Sequence, residues 1–168
     1  MIKYVNTQVV FREIPNEITL AINISNCLCN CKGCHSPYLS KDIGKILNWY
    51  SINNEEGLMD IILKNIGITC VAFMGGDNDP SSINYFANKI KWYNNNVDIS
   101  LWTPIKVAWY SGRQELYDKI NLDCFDYIKL GPYIEKLGPL DNKTTNQRFY
   151  KVINEKLIDI TYKFWRNG

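Results

Sequence analysis

Hydrophobic and polar positions along the chain follow two periods. Residues 3–11 (KYVNTQVVF) are rich in β-branched and aromatic types and predict a strand, with a turn at Pro15-Asn16. Residues 18–24 (ITLAINI) are almost continuously apolar and predict a buried strand. A helix is predicted over 55–65, opened by Asn53-Asn54-Glu55-Glu56, with Leu58, Ile61 and Ile62 on one face and Gly67 at its close. The run 68–74 (ITCVAFM) predicts a second buried strand, and 81–93 a helix capped by Ser81 or Ser82. Strands follow at 105–110 and 125–130, with a short helix predicted at 113–120. The alternation in 147–153 and 156–165 predicts a β-hairpin turning near Asn154-Glu155. Residues 43–51 fit neither period.

Strands alternating with helices imply a mostly parallel sheet in an α/β fold. Four or five core strands are too few to close an eight-stranded barrel. The expectation is an open, curved, partial (β/α) barrel with a C-terminal β-hairpin, and ligands at the carboxyl ends of its strands. At 168 residues the chain is expected to form one domain spanning 1–168.

Composition narrows the function by exclusion. Nineteen basic and seventeen acidic residues give a net charge of +2, which leaves no footprint for nucleic acid or for a membrane surface. Eleven Tyr and five Trp suit pockets and protein interfaces. The start, Met1-Ile2-Lys3-Tyr4-Val5-Asn6, has no apolar run of signal-peptide type, and no stretch approaches transmembrane length, so the expected location is the cytoplasm. Thiols stay reduced there, and clustered cysteines then point to metal or catalysis rather than disulfides.

Four of the six cysteines lie in Cys27-Leu28-Cys29-Asn30-Cys31-Lys32-Gly33-Cys34-His35, just past the first buried strand. Cys27, Cys31 and Cys34 form a C-x3-C-x2-C set, suited to an iron–sulfur cluster. A cubane cluster has four irons, so three cysteines leave one iron open for a ligand. The alternative is a zinc knot that also uses Cys29 and is closed by four ligands. His35, the single histidine, is read as shaping the loop.

Other stretches carry weaker signals. Gly75-Gly76-Asp77 follows a buried strand, and paired glycines let a backbone approach a ligand closely, although a plain strand-to-helix turn has the same composition. Tyr110-Ser111-Gly112 and Lys129-Leu130-Gly131-Pro132-Tyr133 end the next two strands, where they would line the same mouth. Cys70 and Cys124 read as core residues, and Asp123 and Asp126 as solvated or capping groups. There is no Ser/His/Asp triad, Walker loop or G-x-G-x-x-G fingerprint.

With these residues the chain resembles the radical S-adenosylmethionine (SAM) enzymes. Over NCLCNCKGCHSP, AWYSGR, DYIKLGPY and TTNQRFYKV it is similar to the small activating enzymes of anaerobic ribonucleoside-triphosphate reductase. The resemblance implies a radical SAM-type partial barrel and a [4Fe-4S] cluster on Cys27, Cys31 and Cys34, with Cys29 a bystander. It implies SAM contacts from Gly75, Gly76 and Asp77 to the methionine amino group, and from Ser111 to ribose or methionine. Asp77 stands where the family usually has Glu. Gly33 stands where many radical SAM proteins place an aromatic against adenine, which leaves adenine to be held near His35-Ser36.

The implied activity is reductive cleavage of SAM and abstraction of hydrogen from a glycine of the reductase large subunit. The implied electron donor is a flavodoxin or ferredoxin. Activation of another glycyl-radical enzyme, a small-molecule reaction such as deazapurine synthesis, and a non-enzymatic iron–sulfur or zinc module are the alternatives.

Overall fold

A computed structural model describes residues 1–165. One eight-stranded sheet runs through it in the order β3-β1-β2-β4-β5-β6-β7-β8. The strands are β1 (Lys3–Val10), β2 (Thr19–Ile24), β3 (Lys45–Ile46), β4 (Cys70–Met74), β5 (Lys106–Tyr110), β6 (Tyr127–Leu130), β7 (Arg148–Ile153) and β8 (Lys156–Asp159). The central four, β2-β4-β5-β6, pair in parallel. The flanking strands β1, β3, β7 and β8 pair antiparallel, so the sheet is open and mixed around a parallel core.

The described residues contain two α-helices, α1 (Leu58–Lys64) and α2 (Pro80–Asn96). They cover one face of the sheet, where Leu20, Ile22, Ile24, Val71, Phe73, Val107, Trp109 and Ile128 meet Ile61, Ile83, Phe86 and Ile90. Alternation along each strand sends Cys70, Ala72, Ala108, Tyr127 and Phe149 to the other face, under Ile14 and Ile160. Burial pushes the Cys70 thiol well above its ordinary value, as suits a core cysteine. No helix among the described residues is long and apolar enough to cross a membrane.

Several expected elements differ. Residues 113–120 form no helix, and the β5–β6 connection is irregular apart from a 3₁₀ turn at Leu122–Cys124. Two turns of helix are marginal alone, and Leu116, Tyr117 and Ile120 reach the core from a segment of bends and turns. Helix α1 starts only at Leu58, because Asn53 and Asn54 adopt positive φ in a tight turn. Helix α2 begins at Pro80 and is capped by Asp79, whose carboxylate accepts the Ser82 N–H at 3.1 Å, not by a serine. The β7–β8 hairpin turns at Asn154-Glu155 with both residues at positive φ, but β8 stops at Asp159 and a 3₁₀ turn follows.

The β1–β2 pairing contains one irregularity that matters for the site. Tyr4 pairs with Ile24, yet Asn6 pairs with Asn23, so a β-bulge falls between them. Tyr4 packs with the helix-side core. Without the bulge Asn6 would share its face; with it, Asn6, Gln8 and Val10 turn to the opposite one.

Candidate functional site

The carboxyl ends of β2, β4, β5 and β6 open onto a cavity of about 940 Å³ on the sheet face away from the helices. Strand β2 delivers the cysteine loop there. Asn26 and Asn30 take positive φ within it, and Cys27 N–H is tied to Leu39 O at 2.9 Å. Cys27, Cys31 and Cys34 all line the cavity and are half-buried.

Cys29 is not part of the lining. Its thiol is turned against Gly112, where a β-carbon would stand 2.3 Å from Sγ. Burial, with Cys27, Asp77 and Cys31 nearby, pushes the Cys29 thiol up to about 12. Three of the four loop cysteines thus line the cavity, and Cys29 lies beside Cys27 and Cys31 outside the lining. Among the described residues no three His, Cys, Asp or Glu side chains, those of Cys27, Cys31 and Cys34 included, converge closely enough for a single metal ion. Cysteine sulfur is the donor type that an iron–sulfur group takes, and Cys27, Cys31 and Cys34 stand around a cavity roomy enough for a cluster and a further ligand.

The glycine pair divides. Gly75 lines the cavity at φ +101, a conformation open to glycine at little cost. Its N–H donates to Tyr110 O at 2.9 Å and its carbonyl accepts from Trp109 Nε1 at 2.8 Å, which fixes the turn. Gly76 is buried and lies outside the lining; a β-carbon there would meet Ile83 Cδ1 at 2.5 Å. Gly76 therefore lets α2 pack against the strand end.

Asp77 and Ser111 both reach the cavity wall and bind each other. Ser111 Oγ donates to Asp77 at 2.5 Å, and Gly112 N–H donates to its other carboxylate oxygen at 2.8 Å. Asp77 is 7% exposed and Ser111 1%. This clasp joins the loops after β4 and β5 and commits the serine's one proton to the aspartate.

His35 lines the cavity and meets the Tyr133 ring edge-to-face, with centroids 5.6 Å apart. Gly33, at φ +75, lies below that ring, and a β-carbon on it would stand 3.4 Å from Tyr133 Cε1. Residue 133, beyond β6, thus fills the space beside Gly33.

Lys129 is the cavity's buried cation. It comes from the penultimate position of β6, is 8% exposed, and donates to Gly131 O at 2.5 Å. Burial pulls its ammonium down to about 8, against the opposing pull of Cys31, Asp77, Cys29 and Cys27. The sequence placed the segment 129–133 at the mouth without singling out this residue; a Lys inside an otherwise apolar strand was the available signal.

Two polar groups escaped the sequence reading. Asn23, inside an otherwise apolar β2, faces the cavity beside Asn6 and Gln8. Glu17 lies buried at the opposite, amino-terminal end of the sheet, accepting from Lys106, from Thr69 Oγ1 at 2.6 Å and from Tyr127 OH at 2.8 Å. Burial works to raise its carboxyl, but these hydrogen bonds outweigh it and hold the group below the ordinary glutamate value. Asp126, read as solvated or capping, is half-buried: it accepts the Val107 N–H at 2.8 Å and pairs with Lys91 at 3.2 Å.

No protein-family model, curated protein or solved structure matches the chain.

Proposed function

We propose that this chain is a radical SAM activating enzyme, which generates a glycyl radical in the large subunit of an anaerobic ribonucleoside-triphosphate reductase. The observation that carries the reading is the arrangement of the loop thiols. Cys27, Cys31 and Cys34 line one cavity with Gly75, Asp77, Ser111 and Lys129, while Cys29 is packed away against Gly112. Four parallel strands deliver these residues at their carboxyl ends, the position of ligand sites in α/β proteins. On this reading the sheet is the core of a radical SAM-type partial barrel with a reduced helical layer.

Cys27, Cys31 and Cys34 would hold a [4Fe-4S] cluster. Bound there, the cluster would supply one electron to the sulfonium of SAM, giving methionine and a 5′-deoxyadenosyl radical that takes a hydrogen atom from a glycine Cα. The chain's own residues bind and orient. Lys129 offers a buried ammonium to the SAM carboxylate, an interaction strengthened by its desolvation. The Asp77–Ser111–Gly112 clasp holds the β4 and β5 loops in fixed relation, so the cavity wall needs no reorganisation when ligand enters. The rings of Tyr133 and His35, packed edge-to-face, line the same cavity beside the cysteines.

The test combines the anaerobically reconstituted protein with SAM, a flavodoxin or ferredoxin reductant, and the reductase large subunit. A glycyl-radical doublet in the electron paramagnetic resonance spectrum is expected. Turnover of SAM with no radical on the subunit would assign the activity to another substrate.

A further inference from the structure

The cavity is longer than a site for the cysteine loop and one small ligand requires. From the loop it runs down the face of β2 onto β1, past Asn23 and Ala21 to Asn6, Gln8, Val10 and Arg12. We infer that the amide strip Asn6-Asn23-Gln8 binds the main chain of an extended polypeptide segment, carrying it toward the cysteine end of the cavity. This inference rests on the proposed function, because it supplies the binding strip for that reaction's protein substrate.

Three observations support it. The first is the β-bulge between Tyr4 and Asn6. It brings Asn6 opposite Asn23 and turns Gln8 and Val10 to the cavity side, a re-aiming of side chains that bulges beside binding sites commonly produce. The exposed amides Asn6 and Gln8 would otherwise share the face of Tyr4, which packs on the hydrophobic core.

The second is the hydrogen-bonding state of the pair. Asn23 Nδ2 donates to Asn6 Oδ1 at 2.6 Å. Among the described residues that is the pair's one side-chain hydrogen bond, so Asn6 Nδ2 is left as a donor and Asn23 Oδ1 as an acceptor. Exchanging oxygen and nitrogen in both amides leaves the same complement. A neighbouring donor and acceptor match the C=O and N–H of a main chain, which a simple anion or cation does not offer. Gln8, at the next cavity-facing position of β1, adds a third amide one strand repeat further along.

The third is access. Strand β3 pairs with β1 only at Lys3 and Tyr4. From Val5 to Val10 the outer edge of β1 has no strand partner among the described residues, so a chain can reach the strip from that side.

The test uses the full chain and the purified large subunit of an anaerobic reductase as the probe. Its affinity is measured by biolayer interferometry for wild type, Gln8→Leu and the pair Asn6→Ala/Asn23→Ala, with melting temperatures confirming the fold. The paired substitution is expected to weaken binding about tenfold, as for one or two hydrogen bonds lost to a main chain. A photo-reactive p-benzoylphenylalanine at position 8 is expected to cross-link to the subunit, and the same group at the exposed Ile66 is not. Unchanged affinity in both variants, no binding by wild type, or equal cross-linking from both positions would overturn the strip. SAM cleavage by wild type is read separately. Its absence would count against the proposed function, while binding and cross-linking still judge the strip.

Discussion

Cys29 occupies the space that a side chain at Gly112 would need. A β-carbon on Gly112 would lie 2.3 Å from Cys29 Sγ and 3.3 Å from its Cβ. The glycine at the end of β5 and the second cysteine of the loop are therefore sterically matched, and this match keeps one thiol out of the cavity.

The match predicts a coupled pair. Gly112→Ala should cost about 1–3 kcal/mol through overpacking. In a Cys29→Ala background the thiol is gone, and the same substitution should cost markedly less. A double-mutant cycle by urea denaturation measures the coupling, expected at about 1 kcal/mol or more. Additive costs would show that the two residues do not compete for the space.

The cysteines should also separate in iron binding. Replacing Cys27, Cys31 or Cys34 with Ala should abolish the cluster's absorbance after anaerobic reconstitution, and Cys29→Ala should retain it with about four irons per chain. Loss of iron in Cys29→Ala would make it a fourth ligand and point to a closed site.

Lys129 should trade stability for ligand. Burial costs its ammonium free energy, and Met has similar length without the charge. Lys129→Met should hold or raise the melting temperature. It should weaken SAM binding about tenfold to a hundredfold, the range for a lost charge-assisted hydrogen bond, as read by equilibrium dialysis. Unaltered affinity would remove Lys129 from the ligand site.

Glu17 should contribute stability in a defined pH window. Its carboxyl lies below the ordinary value of about 4.3 in the folded chain, so its contribution is complete above that value. It is lost as pH falls through the folded-state value. Glu17→Gln should therefore destabilise by about 1–3 kcal/mol at pH 7, from weakened hydrogen bonds to Lys106, Thr69 and Tyr127. The difference should shrink as both proteins are taken below pH 4, measured by chemical denaturation at each pH.

The parallel core was legible because β2, β4, β5 and β6 are each buried on both faces and read as apolar runs. The cysteine loop was legible as a cavity-lining segment because its cysteines lie close together in sequence, just past a buried strand. What escaped depends on contacts between distant residues. The bulge that turns Asn6 is a property of pairing with β2, and KYVNTQVVF alone does not reveal it. The short helix expected at 113–120 had adequate local preference, but the connection instead spreads Leu116, Tyr117 and Ile120 over the core. Gly75 and Gly76 are adjacent and equal in sequence; only the position of Ile83 on α2 shows that one lines a cavity and the other seats a helix. Asp77 and Ser111 were each legible as cavity residues, whereas their mutual hydrogen bond across 34 positions was not.

The most direct measurement is 5′-deoxyadenosine formation by the anaerobically reconstituted, reduced protein given SAM, compared with Cys34→Ala. Radical SAM chemistry at the three-cysteine cavity predicts product in the wild type and none above background in the variant. A wild type that carries a full iron load, is supplied with the reductase large subunit and still forms no 5′-deoxyadenosine would contradict it.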